Sequence, residues 1–261
     1  MLESLKKKIC LITGARTGIG LSIGQTLAKN GYRVIFSGRS INDCKDTVNQ
    51  LVTDGFEAVE SPIDLSNLSS LKQETEMALS IWGTVDILIN NGAVIEPISL
   101  IKKLDAQNFE NAVRVNYLAP SLLISYCWSN FVKNRGKVIN ILSGASVNPI
   151  EGWAAYCSTK AALNMINQQT HLEGEKYGIS SIGISPGMVD TEMQNKIRAS
   201  GVNQISKVKK EDLLNTKQPG LFALWCTSPQ ANQFSGEMVS ENDPEVKAKY
   251  QAWIKTQAEK L

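Results

Sequence analysis

The sequence is poor in the residues that build metal and thiol chemistry. It has one histidine, His171, and five cysteines, Cys10, Cys44, Cys127, Cys157 and Cys226, odd in number and widely spaced. With no C-x-x-C pair and no Cys/His cluster, neither a metal site nor a disulfide framework is expected. A cysteine nucleophile is poorly served too. Cys157 has only His171 to activate it, and His171 lies about 21 Å along the same expected helix at 1.5 Å per residue. An excess of one charge is also lacking: 27 Lys and Arg against 25 Asp and Glu leave +2. No field therefore draws the chain to nucleic acid or anionic lipid. No apolar run reaches bilayer length, and the one inside "MLESLKKKICLITG" is too short for a signal-peptide core. A cytoplasmic location is expected, with neither nucleic acid nor membrane as partner. Finally, no Pro-, Gly- or Ser-rich linker and no repeat divides the chain, so residues 1–261 are expected to form one domain.

What is present is alternation. Short apolar runs that read as strands, "KICLITG" (8–14), "YRVIFSG" (32–38), "FEAVESPIDL" (56–65), "VDILINN" (85–91), "GKVINILSG" (136–144) and "GISSIGISPG" (178–187), are separated by helical patterns. Helices are expected over 18–31, 41–55, 67–81, 105–133, 154–177 and 211–228. A loop-like polar region (188–210) is expected next. A weak strand at 236–240 and a helical tail (243–261) complete the chain. Strand–helix alternation of this kind implies an α/β fold: a single doubly wound domain whose parallel, seven-stranded sheet carries helices on both faces.

The first strand runs into "TGARTGIG", with Gly14, Gly18 and Gly20 between strand and helix. A tight turn there presents backbone N–H groups at a helix N-terminus, where a pyrophosphate can sit. A dinucleotide is thus the expected cofactor. Its type is sorted at the end of the second strand, where an acid holds the 2′-hydroxyl of NAD and an arginine accommodates the 2′-phosphate of NADP. That strand ends "FSGRS", with no Asp or Glu from Gly20 to Ser40. Arg39 stands at that position and Arg16 in the glycine turn. Each is either a phosphate ligand, through paired charge-assisted hydrogen bonds, or a solvated surface charge. The expectation is NADP(H).

"WAAYCSTKAAL" (153–163) places Tyr156 and Lys160 four residues apart, hence on one face of a helix. With the glycine turn, Asp64–Leu65, the Asn-Asn pair Asn90–Asn91, Asn116, Ser143 and "PGMVDT", it makes the chain resemble the short-chain dehydrogenase/reductase family along nearly its whole length. Ser143 and Tyr156 have the thirteen-residue spacing of that family. Within it, "SGASVNPIEGWAAYCSTKAALN" and "PGMVDTEMQ" resemble the sepiapterin and benzil reductase branch. One departure is "NNGA" (90–93), where the family usually has Asn-Asn-Ala-Gly; a small shift of the cofactor is expected, with the chemistry intact.

The resemblance implies a Rossmann fold and a carbonyl reductase, with 188–210 as its substrate loop. Tyr156 would be the general acid in reduction. Lys160 would lower the Tyr156 pKa and hold the nicotinamide ribose. Ser143 would position the substrate oxygen, and Asn116 would hold a water relaying protons to Lys160. Cofactor contacts are expected from Gly14, Arg16, Thr17, Gly18, Ile19, Gly20, Arg39, Asp64, Leu65, Asn91, Tyr156, Lys160, Pro186, Val189 and Thr191. Ile95, Pro97, Ala145, Trp153, Met188 and Met193 are candidate pocket walls, apolar enough for an aromatic or dicarbonyl substrate, with no polar anchor placed for a pterin. Two rivals remain: a non-catalytic NADP(H) redox sensor of the same fold, disfavoured by the complete set of Asn116, Ser143, Tyr156 and Lys160, and an NAD-dependent alcohol dehydrogenase, disfavoured by the missing acid. A homodimer or homotetramer is expected, because 108–134 is apolar on more than one face (Phe109, Val113, Tyr117, Leu122, Ile124, Trp128, Phe131).

Overall fold

The computed structural model describes residues 7–258. Seven parallel strands lie in the order β3-β2-β1-β4-β5-β6-β7: β1 (Ile9–Thr13), β2 (Arg33–Ser37), β3 (Ala58–Glu60), β4 (Ile87–Asn90), β5 (Lys137–Ile141), β6 (Ser180–Ile184) and β7 (Met238–Val239). Side chains alternate across a strand, so each central strand feeds two cores. Cys10, Ile12, Val34, Phe36, Ile87, Ile89, Ile139 and Ile141 point to one face. Ile9, Leu11, Ile35, Leu88 and Val138 point to the other. Burial on both faces explains why these strands read as continuous apolar runs.

Helices α1 (Gly18–Lys29), α2 (Lys45–Thr53), α8 (Lys217–Thr227) and α9 (Pro244–Ala258) are on the first face. Helices α3 (Leu71–Ile81) and α5 (Ala119–Asn134) are on the second, and α6 (Ala154–Gly174) adds Ile166 to it. In α9, Val246 and Tyr250 are buried, and the Tyr250 ring lies 5.1 Å from Phe222 and 5.7 Å from Trp225. The C-terminal helix is thus docked on its own domain. Among the described residues no helix is long and apolar enough to cross a membrane.

Several elements depart from the sequence expectation, among them α3 and α8, which start at Leu71 and Lys217 rather than at 67 and 211. Helix α2 starts at Lys45, not at 41, because the Glu60 carboxylate accepts from the amides of Asn42 (3.1 Å) and Cys44 (2.7 Å) and holds a turn in which Asn42 has φ +73°. The long helix over 105–133 is α4 (Ala106–Val113), a π turn (Arg114–Leu118) and α5. The "polar loop" 188–210 contains α7 (Glu192–Ser200), which buries only Gln194 and Ile197.

A buried polar ladder ties α6 to the sheet. Asn90 Nδ2 donates to Asn140 Oδ1 (2.9 Å) and Asn140 Nδ2 to Asn167 Oδ1 (3.1 Å). The Ser181 hydroxyl also donates to Asn167 Oδ1 (2.8 Å). The ladder joins β4, β5 and β6 to the middle of α6, whose first turns carry Tyr156 and Lys160.

Candidate active site

The topology reverses beside β1, which has β2 on one side and β4 on the other, so a crevice opens at the carboxyl ends of these strands. The glycine turn fills its floor. Gly14 takes φ +61°, and a Cβ there would meet Gly92 Cα at 2.6 Å. A Cβ on Gly20 would meet the Asn91 amide nitrogen at 2.4 Å. Asn91 Nδ2 in turn donates to the carbonyls of Thr13 and Gly14, both at 3.0 Å, and Thr13 Oγ1 accepts from the amides of Asn91 (3.1 Å) and Gly92 (3.2 Å). Loop and strand are therefore locked together at a close approach only small residues permit. Thr17 caps α1 in an extended conformation, and the first turn holds no acid, so the positive end of the helix faces an open surface on which Gly14, Arg16 and Thr17 are exposed. This cradle fits a dinucleotide pyrophosphate.

The exchange in "NNGA" has a packing counterpart. Leu65 Cδ1 lies 2.5 Å from where a Cβ of residue 92 would be. Leu65 thus occupies the space of the alanine methyl that the family usually has.

At the tip of β2, Arg39 is exposed. The amides of Arg39 and Ser40 donate to Asp43 Oδ2 at 2.8 and 3.0 Å. An acid is therefore present at this corner after all. It escapes a search that stops at Ser40, because the turn before α2 folds it back. Asp64 accepts from the amide (3.0 Å) and hydroxyl (2.7 Å) of Ser66 in the loop after β3. On the opposite side, the loop after β6 carries Pro186, Val189 and Thr191. Its Thr191 methyl lies 3.2 Å from a Cβ position on Gly18, and Glu192 pairs with Arg16 at 3.7 Å. A cleft of about 520 Å³ opens there between Gly18, Thr191 and Lys217.

The catalytic candidates converge at the end of β5. Tyr156 and Lys160 are buried on one face of α6, with Lys160 Nζ 5.7 Å from the Tyr156 ring centroid. Lys160 Nζ donates to the Ile141 carbonyl at 2.6 Å. The Ser143 side chain, in the loop two residues past β5, accepts from the Ala145 amide (3.2 Å) and is hydrogen-bonded to Tyr156. Burial pushes the Tyr156 phenol up to about 12, against the opposing effect of the Ser143 hydrogen bond. Burial likewise brings Lys160 down to about 8. Lys160 is not what sets this value: taking the phenolate out of water costs more than the Ser143 hydrogen bond returns.

Asn116 sits in the π turn, 1% exposed. Its Oδ1 accepts from the Val94 amide, its Nδ2 donates to the Val94 carbonyl (both 2.8 Å), and Nδ2 also reaches Thr159 Oγ1 (3.2 Å). The side chain clamps the extension of β4 to α6. Pro120 has no N–H to give to the carbonyl four residues back, that of Asn116, and the helix widens there.

Ile95, Ala145, Trp153, Tyr156 and Ile197 form a buried cluster, with Met193 against it. Four expected wall residues are thus brought together. Pro97 is buried nearby in sequence, and Met188 remains 46% exposed outside the cluster. Ile197 and Gln194 of α7 were not anticipated, since a nine-residue polar helix with two buried positions leaves little periodic signal.

The model for "short chain dehydrogenase" matches residues 8–201. A benzil reductase of Bacillus subtilis, (S)-benzoin forming, is 32% identical over 219 residues, covering 80% of this chain and 85% of its own. The Bacillus cereus protein of the same name is 31% identical, covering 78% and 82%. Among solved structures, a variant of the actinorhodin polyketide ketoreductase with NADPH has a TM-score of 0.82 at 21% identity, over 90% of this chain and 95% of that one; at that identity the likeness speaks for the fold alone. Family model, relatives and fold agree that this chain belongs to the short-chain dehydrogenase family of oxidoreductases.

Proposed function

We propose that the chain reduces a ketone or diketone to an alcohol with NADPH, with Tyr156 as proton donor. One observation carries this reading: a phenol and a lysine, both buried on one face of α6, meet a serine hydroxyl just past β5, at the same carboxyl ends of the strands as a cradle shaped for a dinucleotide pyrophosphate. A redox sensor would need the cradle and not the other three. Benzil reductases among the relatives support a diketone substrate. The test is a screen of NADPH consumption over aromatic ketones, diketones, pterins and sugars. Turnover confined to non-carbonyl compounds, or none at all, would end the proposal.

The cofactor, held by the α1 N-terminus, Asn91, the loop 186–191 and Lys160, would supply the hydride. The chain's own residues do the rest. Ser143 offers its hydroxyl to the substrate oxygen and, through its bond to Tyr156, sets the phenol beside it. Tyr156, fully protonated at neutral pH, passes its proton to the oxygen as negative charge develops there. Lys160, close to the ring and still mainly an ammonium at pH 7, stabilises the phenolate left behind. The Asn116 carbonyl, which Pro120 leaves without its α-helical donor, is the group we assign to a relay water on the path that returns a proton to Tyr156. Its side chain keeps β4 and α6 in register.

NADP(H) over NAD(H) is supported by Arg39 at the tip of β2 and by Arg16 in the glycine turn. Asp43 favours the second reading, an NAD-dependent enzyme, because its carboxylate already takes the two amides nearest Arg39. Dissociation constants for NADPH and NADH decide between them. We also propose a homodimer or homotetramer. Ile124 and Phe131 of the 108–134 stretch are spent in the core, but Val132 of α5 and Met165 and Leu172 of α6 remain 38%, 59% and 70% exposed.

A further inference from the structure

Helix α7 lies over the Tyr156 pocket with two buried residues, Gln194 and Ile197. Three positions apart, they share one face of the helix. Ile197 packs with Trp153, Tyr156, Ile95 and Ala145, which fixes where that face is turned. Trp153 meets Tyr156 edge-on at 5.7 Å between ring centroids. Gln194 is 4% exposed and Trp153 5%. The amide Nε2 of one and the indole Nε1 of the other have no hydrogen-bond partner among the described residues. Each is an N–H donor that only an acceptor can satisfy. Closing such a donor away from water is costly, and an apolar residue would have avoided that cost.

We propose that Gln194 and Trp153 are specificity-determining donors to a second oxygen of the substrate, beside the carbonyl that Tyr156 protonates. The preferred substrates are then vicinal dicarbonyl compounds. This rests on the reading of the chain as a carbonyl reductase. The bound cofactor would supply a hydride to one carbonyl carbon, Tyr156 would give its proton to that oxygen, and the second carbonyl would be unchanged, leaving an α-hydroxyketone and the oxidised cofactor. A carbonyl oxygen has two lone pairs and can accept both N–H groups. Entry requires α7 to lift. Its ion pairs, Arg16–Glu192 and Lys196–Glu96 (2.7 Å), are exposed and so hold it weakly.

The probes are benzil and deoxybenzoin, which share two phenyl rings but differ by one carbonyl. In Gln194→Leu, and in Gln194→Met as a second variant of similar volume, the ratio of kcat/KM for benzil to that for deoxybenzoin is expected to fall roughly three- to tenfold, the worth of one neutral hydrogen bond. Trp153→Phe is expected to lower the same ratio. An unchanged ratio overturns the assignment. Calorimetric binding of both probes, on a Tyr156→Phe background, separates the two readings. Benzil affinity that falls with Gln194→Leu while wild-type enzyme turns over neither probe would sink the reductase reading and keep the donors. Benzil affinity unmoved by Gln194→Leu would sink the donors whatever the turnover.

Discussion

Lys160 makes catalysis pH-dependent in a calculable way. Burial brings its ammonium down from an ordinary 10.5 to about 8, and the cation is the form that stabilises the Tyr156 phenolate. Values of kcat/KM report ionisations of the free enzyme. For carbonyl reduction they should hold level below pH 7 and fall tenfold per pH unit above 8. At pH 9.5 about 3% of Lys160 stays protonated, so the loss is roughly thirtyfold. Tyr156, pushed up to about 12, stays a phenol across this range and adds nothing to the fall. The assay is initial-rate NADPH oxidation at low ketone concentration from pH 6 to 10. Lys160→Arg provides the control: a guanidinium does not titrate here, so its profile, at whatever height, should stay level to pH 10. A wild-type profile flat to pH 9.5, or an alkaline fall that survives in Lys160→Arg, would refute the reasoning. The shift also acts on folding. The folded chain releases this proton near pH 8 and the unfolded chain near 10.5, so between those values the unfolded state binds more protons. Stability from this group therefore rises with pH across that window.

Arg39→Ala should raise the NADPH dissociation constant on the order of tenfold to a hundredfold, the worth of a charge-assisted contact, and leave that of NADH nearly unchanged; equal losses would remove the NADP(H) reading. Asn167→Leu leaves the Asn140 amide and the Ser181 hydroxyl without their acceptor and should cost about 2–5 kcal/mol in urea denaturation. A loss within the roughly 0.5 kcal/mol typical of surface changes would show the ladder to be dispensable. Sedimentation equilibrium at micromolar concentration should give a multiple of the 28.6 kDa chain mass. Met165→Glu with Leu172→Glu should shift it to monomer. A fully active wild-type monomer would contradict the oligomer.

The strands and the glycine turn were legible because each central strand is buried on both faces and must be apolar throughout, while Gly14 and Gly20 have no room for a Cβ. Tyr156 and Lys160 were legible from their four-residue spacing. Legibility failed where tertiary contacts decide. Asp43 reaches the tip of β2 only because Glu60, on another strand, holds the turn before α2. Helix α7 buries two residues, of which Ile197 packs with Tyr156 and Trp153, and two residues carry no period. The ladder of Asn90, Asn140 and Asn167 joins side chains far apart in sequence, each of which alone reads as a misplaced polar residue in an apolar strand or helix. The direction of the Tyr156 shift followed from burial, which the Tyr-x-x-x-Lys spacing does not report.

The central claim is that Tyr156 delivers the proton in a pocket built next to the cofactor. Its most direct test is NADPH oxidation with benzil by Tyr156→Phe, with the NADPH dissociation constant of the same preparation. The account predicts a turnover loss of about a hundredfold to ten-thousandfold, the range of general acid catalysis, with NADPH binding within about threefold of wild type, since the phenyl ring keeps the packing against Trp153. Turnover within about tenfold of wild type, below that range, would contradict it.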